Sequence, residues 1–368
     1  MPAPDTFGSQ PPLELIRQML GTGGWYDRQL LQFRPIKGTS TIAACGPPGG
    51  GRNKVSERLT ALFTQLRIPQ PSEKSLFSIF NSILYGHVKQ YDYQQVIKDV
   101  VAPVVRASIE LYNHALAELR PTPSKSHYVF NVRDLSKVFQ GMMNTNQNTV
   151  QDELQFQRLW AHESCRIFAD RLISKEDRNI LTIKICDLAK QYFHQGWNHD
   201  EIYVIGQPKM WLDFLQMGSD LPRPYEELQD IKKIQPILAN ALADFNADCA
   251  LHKQKEVDIV FFTDAVEHIA RITRIIRQAR GNALLVGVGG CGKQSLTRLS
   301  SFIAGCQCFE IQLSKNYGQN EFREDLRKLY GQAGADGKPT VFLLNDTQIV
   351  KESFLEDLNC ILGSGEEK

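Results

Sequence analysis

The stretch NALLVGVGGCGKQSLTRL, Asn282 to Leu299, constrains this chain more than any other. The apolar run Ala283, Leu284, Leu285 and Val286 reads as a buried strand. It runs into Gly287, Gly289, Gly290 and Gly292, then Lys293, then a helical pattern, which is G-x-x-x-x-G-K between a strand and a helix. The glycines let backbone N–H groups, those of Val288 and Cys291 among them, turn inward around a phosphate without Cβ clashes. Lys293 adds a point charge for the β/γ-phosphates, and the helix that follows aims its N-terminal dipole at the anion. One position departs from the pattern. A Ser or Thr hydroxyl normally follows the lysine and binds Mg²⁺; here Gln294 follows, with Ser295 one step on. The Gln294 amide oxygen still reaches a metal or its water, with a poorer fit. The bland alternative is a glycine-rich strand–helix turn with no ligand.

Composition narrows the class. Hydrophobic content of 42% and charged content of 23% are those of soluble globular chains, and 368 residues predict two or three domains. A net charge of +1 makes no electrostatic case for nucleic acid or an acidic membrane. No apolar run approaches the roughly 20 residues of a membrane span. The opening MPAPDTFGSQPP has neither a basic region nor an apolar core, so it does not read as a signal peptide. Eight cysteines are scattered without a C-x-x-C pair, and most are expected to be reduced and buried. Cys306 and Cys308 fall on one face of a strand. Cys291, beside Lys293, is either an unusually reactive thiol or a quiet small loop residue. The histidines show no H-E-x-x-H spacing, which argues against a metal site built from protein ligands.

Taken in order, Leu13 to Leu20 predicts a helix after Pro11 and Pro12, and Phe33 to Ile36 a strand. TIAACGPPGGGRN, Thr41 to Asn53, predicts a second strand entering a Gly/Pro-rich loop with phosphate-loop spacing. The downstream chain argues against a nucleotide there. It reads IKDVVAPVVRASIELYNHAL, interrupted by Pro103 and then helical, where an apolar strand ending in Asp is needed. From Ser72 to Lys190 the apolar spacing is helical and self-contained. Tyr225 to Leu251 reads as a polar helix. Thr263 reads as the cap of a helix over Asp264 to Gln278. Phe262, Val266, Ile269, Ile272 and Ile276 form its buried stripe. Arg271, Arg274, Arg277 and Arg280 form a solvated or inter-domain face.

After the glycine loop, Cys306 to Leu313 predicts a strand, Asn320 to Tyr330 a helix, and TVFLLND, Thr340 to Asp346, an apolar strand ending in Asp. Asp346 is placed to hold the Mg²⁺ shell opposite the loop. Alternating strands and helices call for a parallel α/β sheet. The position after this Asp decides turnover. Thr347 is no base at neutral pH, and Gln348 at best positions a water. General-base catalysis is worth roughly 10²–10⁴-fold, so its loss moves such a site from turnover toward holding.

These residues resemble the dynein heavy chain, a ring motor of six linked AAA+ modules. The matching motifs are GNALLVGVGGCGKQSLTRL, VFLLNDTQIVKESFLEDLN, GSQPPLELIRQ, GGWYDR, AACGPPGGGRN and HYVFNVRDLSKVFQGM, in the family's order over almost the whole chain. ATP-hydrolysing AAA+ modules usually carry Glu where Thr347 stands. The GKQS and NDTQI variants are similar to axonemal rather than cytoplasmic heavy chains. The resemblance implies P-loop AAA+ modules of α/β class, with a helical lid between two partial α/β domains. It implies the end of the third module's large domain over 1–70, its lid over 71–217, a helical connection over 218–255, and the start of the fourth module over 256–368. It further implies a fragment or alternative product of a longer chain that binds ATP or ADP with Mg²⁺. Its partners would be neighbouring modules and the dynein intermediate and light chains, with microtubules reached only through parts absent here. Its place would be the cytoplasm, the cytoskeleton and the ciliary axoneme.

The resemblance assigns two arginines. Arg133 matches the sensor arginine that reads the third module's γ-phosphate, and Arg58 sits where an arginine finger would reach the preceding module's nucleotide. Gly46 stands where a polar sensor residue is expected. Two other readings remain open: a free-standing P-loop NTPase or kinase, and a structural module with an empty loop.

Overall fold

Apolar residues spaced three and four apart, each run opened by a polar cap, dictate the helical middle of the chain. A computed structural model describes residues 4–46, 53–197, 210–217, 223–228, 230–251 and 256–364. These divide into two compact units, Met1–Pro71 and Ser72–Lys368.

In the larger unit, helix α3 (Glu73–Gln90) starts where the Ser72 hydroxyl accepts from the Ser75 N–H, and it buries Leu76, Phe80, Leu84 and Val88. Helix α4 (Gln95–Glu118) is continuous through Pro103, correcting the expected interruption. The carbonyl that Pro103 leaves without a donor belongs to Asp99, an exposed residue that water can serve. Helix α5 (Val132–Met142) opens with a reciprocal capping box between Asn131 and Asp134. Helix α6 (Glu153–Ser164) is capped by Asp152 and runs into a π-helical turn, Cys165–Ala169. Helix α7 (Lys175–Phe193) is capped by Ser174. Together α3 to α7 enclose one core, in which Trp160 is fully buried and donates from Nε1 to Ser108 Oγ at 2.9 Å.

A second core lies on the C-terminal side. Residues Trp211–Leu212 (β3) and Glu226–Glu227 (β4) pair antiparallel. The single helix expected from Tyr225 is therefore corrected: Tyr225 to Leu228 are committed to this hairpin, and helix α8 begins only at Ile234, ending at Leu251. Helix α9 spans Thr263–Arg277 with Phe262, not Thr263, at the N-cap position and without a side-chain cap. Phe262 is exposed and leaves the buried stripe to Val266, Ile269 and Ile272. Helices α8, α9 and α10 (Lys293–Ile303) pack these residues with Leu238, Leu296 and Leu299.

Beyond α10, Gln307–Glu310 (β5) and Thr340–Leu343 (β6) pair in parallel, Cys308 opposite Val341 and Phe309 opposite Phe342. Both strands are shorter than expected. Helix α11 (Gln319–Tyr330) and helix α12 (Ser353–Ser364) cover this pair, with Phe322 stacked on Phe354 at 4.3 Å. The expected strand Ala283 to Val286 is corrected. It carries no regular structure and hydrogen-bonds to no strand among the described residues, and Leu284, Val286 and Val288 stand 89%, 87% and 79% exposed. Only Leu285 packs against the core.

The smaller unit holds helix α1 (Pro11–Thr22), the hairpin of Gly24–Tyr26 (β1) with Phe33–Pro35 (β2), and the short helix α2 (Glu57–Thr60). Thr41 to Ala44, expected as a strand, is exposed and unpaired among the described residues. Most of the Gly/Pro-rich loop after Gly46 lies outside them. All eight cysteines are free thiols, but only Cys165 and Cys249 are buried, fewer than expected.

Candidate nucleotide-binding site

Two glycines make the loop possible. Gly290 (φ 81°) and Gly292 (φ 78°) adopt left-handed backbone, which a side chain would strain, and Gly292 is the N-cap of α10. No side chain caps that helix, so the first-turn N–H groups and the positive end of its dipole face the loop unanswered. Lys293 is its first residue, and its ammonium folds back over the loop. Nζ donates to the carbonyls of Gly287 (2.6 Å) and Val288 (2.8 Å), and lies 3.6 Å from Cys291 Sγ. A Cβ on Gly287 would stand 3.0 Å from that sulfur, a tight contact that the exposed Cys291 side chain would have to relieve. The residues from Gly287 to Lys293 thus form a ring with a positive centre, of the type that accepts a phosphate. Gln294 is exposed and Ser295 half-buried in the same first turn, and neither side chain has a partner among the described residues.

The other candidate residues lie in the turn after β6. Asp346 is exposed at the start of a 3-10 turn, Asp346–Gln348, and its Oδ1 accepts from the Thr347 N–H at 3.0 Å. Its other carboxylate oxygen has no protein partner among the described residues, which suits a metal-bound water. Thr347 is exposed. Gln348 is buried and committed at both ends. Its Nε2 donates to the Ile311 carbonyl and its Oε1 accepts from the Asn345 N–H, each at 2.8 Å. This weighs against the reading of Gln348 as a water-positioning group: one N–H and one lone pair of its amide are already engaged, and burial keeps the rest from the open site. It is a staple between the chain leaving β5 and the turn that carries Asp346. Asn345-x-x-Gln348 is a capping-box pattern, and that signal was available in the sequence.

Helix α10 is anchored to β5 by a second fork that sequence spacing does not reveal. Arg298 Nε and Nη2 donate to the two oxygens of Glu310 at 2.5 and 2.6 Å. Burial, and then the charge of Glu310, push the neighbouring Cys308 thiol up to about 12, so it stays protonated. No cluster of three or more His, Cys, Asp or Glu side chains suited to a metal occurs among the described residues.

The two arginines belong to other elements of the chain. Arg133 lies exposed in the first turn of α5, where Asp134 is taken by Arg171 at 2.7 Å. No hydrogen bond or ion pair joins Arg133 to the loop among the described residues. Arg58 lies exposed in α2 of the other unit. Both guanidiniums are without protein partners among the described residues.

Comparison with known proteins adds the family context. Residues 257–368 match the family described as P-loop containing dynein motor region D4, residues 1–71 a P-loop containing dynein motor region, and residues 84–178 the dynein heavy chain ATPase lid domain. The chain is 48% identical over 367 residues to dynein axonemal heavy chain 6 of Homo sapiens, covering 100% of this chain and 9% of that protein. It is 43% identical over 377 residues to dynein axonemal heavy chain 1 of Mus musculus, again 100% of this chain and 9% of that protein. It is 42% identical over 367 residues to the dynein-1-beta heavy chain of the flagellar inner arm I1 complex of Chlamydomonas reinhardtii, 100% of this chain and 8% of that protein. The chain therefore spans less than a tenth of the length of these relatives.

Proposed function

Because this chain belongs to the dynein heavy-chain family, we propose that it supplies a regulatory nucleotide-binding module to a ciliary motor ring. In this reading residues 1–70 close the third module's large domain, 71–217 are its lid, 218–255 connect, and 256–368 begin the fourth module. The loop from Gly287 to Lys293, with Gln294 and Ser295, holds ATP or ADP. Gln294 and Asp346 take the Mg²⁺ shell. When bound, the metal supplies charge neutralisation between the phosphates. The chain's own part is to orient the phosphates with loop N–H groups and to answer their charge with Lys293, which must leave the Gly287 and Val288 carbonyls to do so.

The observation that carries weak turnover is the turn at 346–348. Thr347 stands where a carboxylate base is needed, and Gln348 is locked into the fold. Affinity then survives better than rate, with a deficit of about 10²–10⁴-fold in hydrolysis. The site acts as a brace whose nucleotide fixes geometry for its neighbours. Arg133 and Arg58 would serve nucleotides of the third module and its predecessor. The motor as a whole would drive ATP-dependent, microtubule-based motility in the axoneme, with intermediate and light chains as partners. Its microtubule contacts would lie in other parts of the heavy chain.

The test is phosphate release and bound-nucleotide content in a heavy chain whose other sites are disabled. Retained nucleotide that Lys293→Ala removes, with slow release, supports the proposal; turnover like that of an ordinary AAA+ ATPase sinks it. The back-folded Lys293 favours a second reading, a loop that stays closed and empty, which predicts no nucleotide with or without Lys293→Ala.

A further inference from the structure

Helix α9 presents Arg271, Arg274 and Arg277 at every third position, and each meets a carboxylate from outside the helix. Arg271 Nε lies 3.6 Å from Asp170, Arg274 grips Glu163, and Arg277 Nη1 lies 2.8 Å from Asp213. The central pair is sealed: Glu163 is 0% and Arg274 6% exposed. Arg274 Nε donates to Glu163 Oε1 at 3.2 Å while Nη2 engages Oε2, and the Tyr225 hydroxyl donates to Oε1 at 2.7 Å. The Tyr225 hydroxyl also lies 3.2 Å from His162 Nε2. Gly141 of α5 makes the space, since a Cβ there would collide with the Glu163 carboxylate. The node sits between two apolar cores, that of helices α3 to α7 and that of helices α8 to α10. Apolar side chains at such a place would stabilise the contact at least as well, because both ions must shed water. An ion fork adds direction: it admits one alignment of the partners where an apolar contact admits several.

That alignment reaches the loop. Arg274 is in the last turn of α9, and α9 packs along α10 through Val266, Ile269, Leu296 and Leu299. Lys293 opens α10. We propose that Glu163 and Arg274 are a positioning pair for the phosphate loop: they set α9, and through it the N-terminal turn of α10, from helix α6. This deepens the nucleotide-binding reading and rests on it for its ligand.

The test uses the 368-residue chain and three substitutions. Glu163→Gln removes the buried charge at constant shape. Arg274→Lys keeps the charge but loses the fork. Arg158→Gln is the control, because Arg158 also leaves α6 in a two-bond fork, to Glu227 of β4, without reaching α9. Hydrogen exchange of the peptide over 293–303, mant-ADP affinity and thermal midpoint are measured for each. Glu163→Gln should speed exchange in that peptide and weaken mant-ADP about five-fold or more. Arg274→Lys should give a smaller change of the same sign. Arg158→Gln should lower the midpoint and leave both readouts in place. Exchange over 293–303 that ignores both node substitutions, or that follows the thermal midpoint equally in all three, overturns the proposal. Should Glu163→Gln fail to fold, Arg274→Lys carries the comparison. A wild-type chain that binds no mant-ADP while exchange responds as described would refute the nucleotide reading and leave the positioning pair standing.

Discussion

Replacing Gln348 with Leu separates two roles for this residue, a structural staple and a water holder. Leucine fills the site but offers no donor to the Ile311 carbonyl and no acceptor to the Asn345 N–H, which Gln348 meets at 2.8 Å each. Two net hydrogen bonds are worth about 0.5–1.5 kcal/mol each, and a buried orphan costs about 1–3 kcal/mol more. The two orphans differ. Ile311 is 4% exposed, so its carbonyl has no route to water, whereas Asn345 is half-buried and its N–H can be rehydrated if the turn opens. The expected loss is therefore about 2–4 kcal/mol, a sizeable share of the 5–15 kcal/mol typical of a domain. If the turn opens to rescue Asn345, Asp346 loses its fixed place. The functional signature is then selective: Mg²⁺-dependent enhancement of mant-ATP binding falls, while Mg²⁺-free binding through Lys293 is kept. Urea unfolding, mant-ATP titration with and without Mg²⁺, and hydrogen exchange over 344–350 read the three effects. Wild-type stability and exchange with selectively lost phosphate release would restore the water-holding role and refute the staple.

Three further outcomes are expected. Thr347→Glu combined with Gln294→Thr should raise single-site phosphate release in a motor whose other sites are disabled, by up to about 10²-fold, and no change would show that the missing groups do not limit turnover. Trp160→Ala empties a site of 0% exposure and strips Ser108 Oγ of its 2.9 Å partner, so denaturant midpoints should report a loss of about 3–5 kcal/mol, with the slowest exchange of the native chain found in helices α3 to α7. Burial holds His87, His114 and His268 below their ordinary value of 6.5. The unfolded chain then binds more protons than the folded one just below 6.5, so stability present above that pH is lost as pH falls toward the lower folded values. The thermal midpoint should drop from about pH 7.5 to about pH 5.5, and a rise over that interval would contradict the direction of these shifts.

What was legible in advance follows from the range of the interactions. Helices α3 to α7 declare themselves because their signals are local: Ser72, Asp152 and Ser174 cap turns only a few residues away, and the apolar stripe repeats within each helix. The loop was legible for the same reason, since Gly290, Gly292 and Lys293 do their work within one turn of chain. The three-arginine seam was legible as a basic face, solvated or inter-domain, but not as a row of ion pairs with particular partners. Arg274 meets Glu163 across 111 positions, and nothing in either neighbourhood marks the partner. A guanidinium on an amphipathic helix reads as solvated until the carboxylate opposite is known.

The strands fail in a different way, and the failure bears on the site. A helix closes its hydrogen bonds on itself, but a parallel strand has none until another strand lies beside it. Leu284, Val286 and Val288 have the composition of an interior strand, and Leu285 already points into the core that holds α10. Gln307–Glu310 becomes a strand because Thr340–Leu343 is there to receive it. Ala283 to Val286 has no such neighbour among the described residues, so the same kind of sequence stays irregular and largely exposed. The loop from Gly287 to Lys293 is thereby held more firmly on one side than on the other. Helix α10 holds its C-terminal end through α9 and through the Arg298–Glu310 fork, while on its N-terminal side Leu285 packs against the core and no strand pairs with it among the described residues. Such a loop keeps the chemistry of a phosphate site but surrenders part of its preorganisation, and the lysine settles on the nearest carbonyls. Binding must then supply the ordering free energy that a paired strand would have supplied beforehand. Any added strand that pairs with Ala283 to Val286 should therefore tighten nucleotide binding without touching the nucleotide.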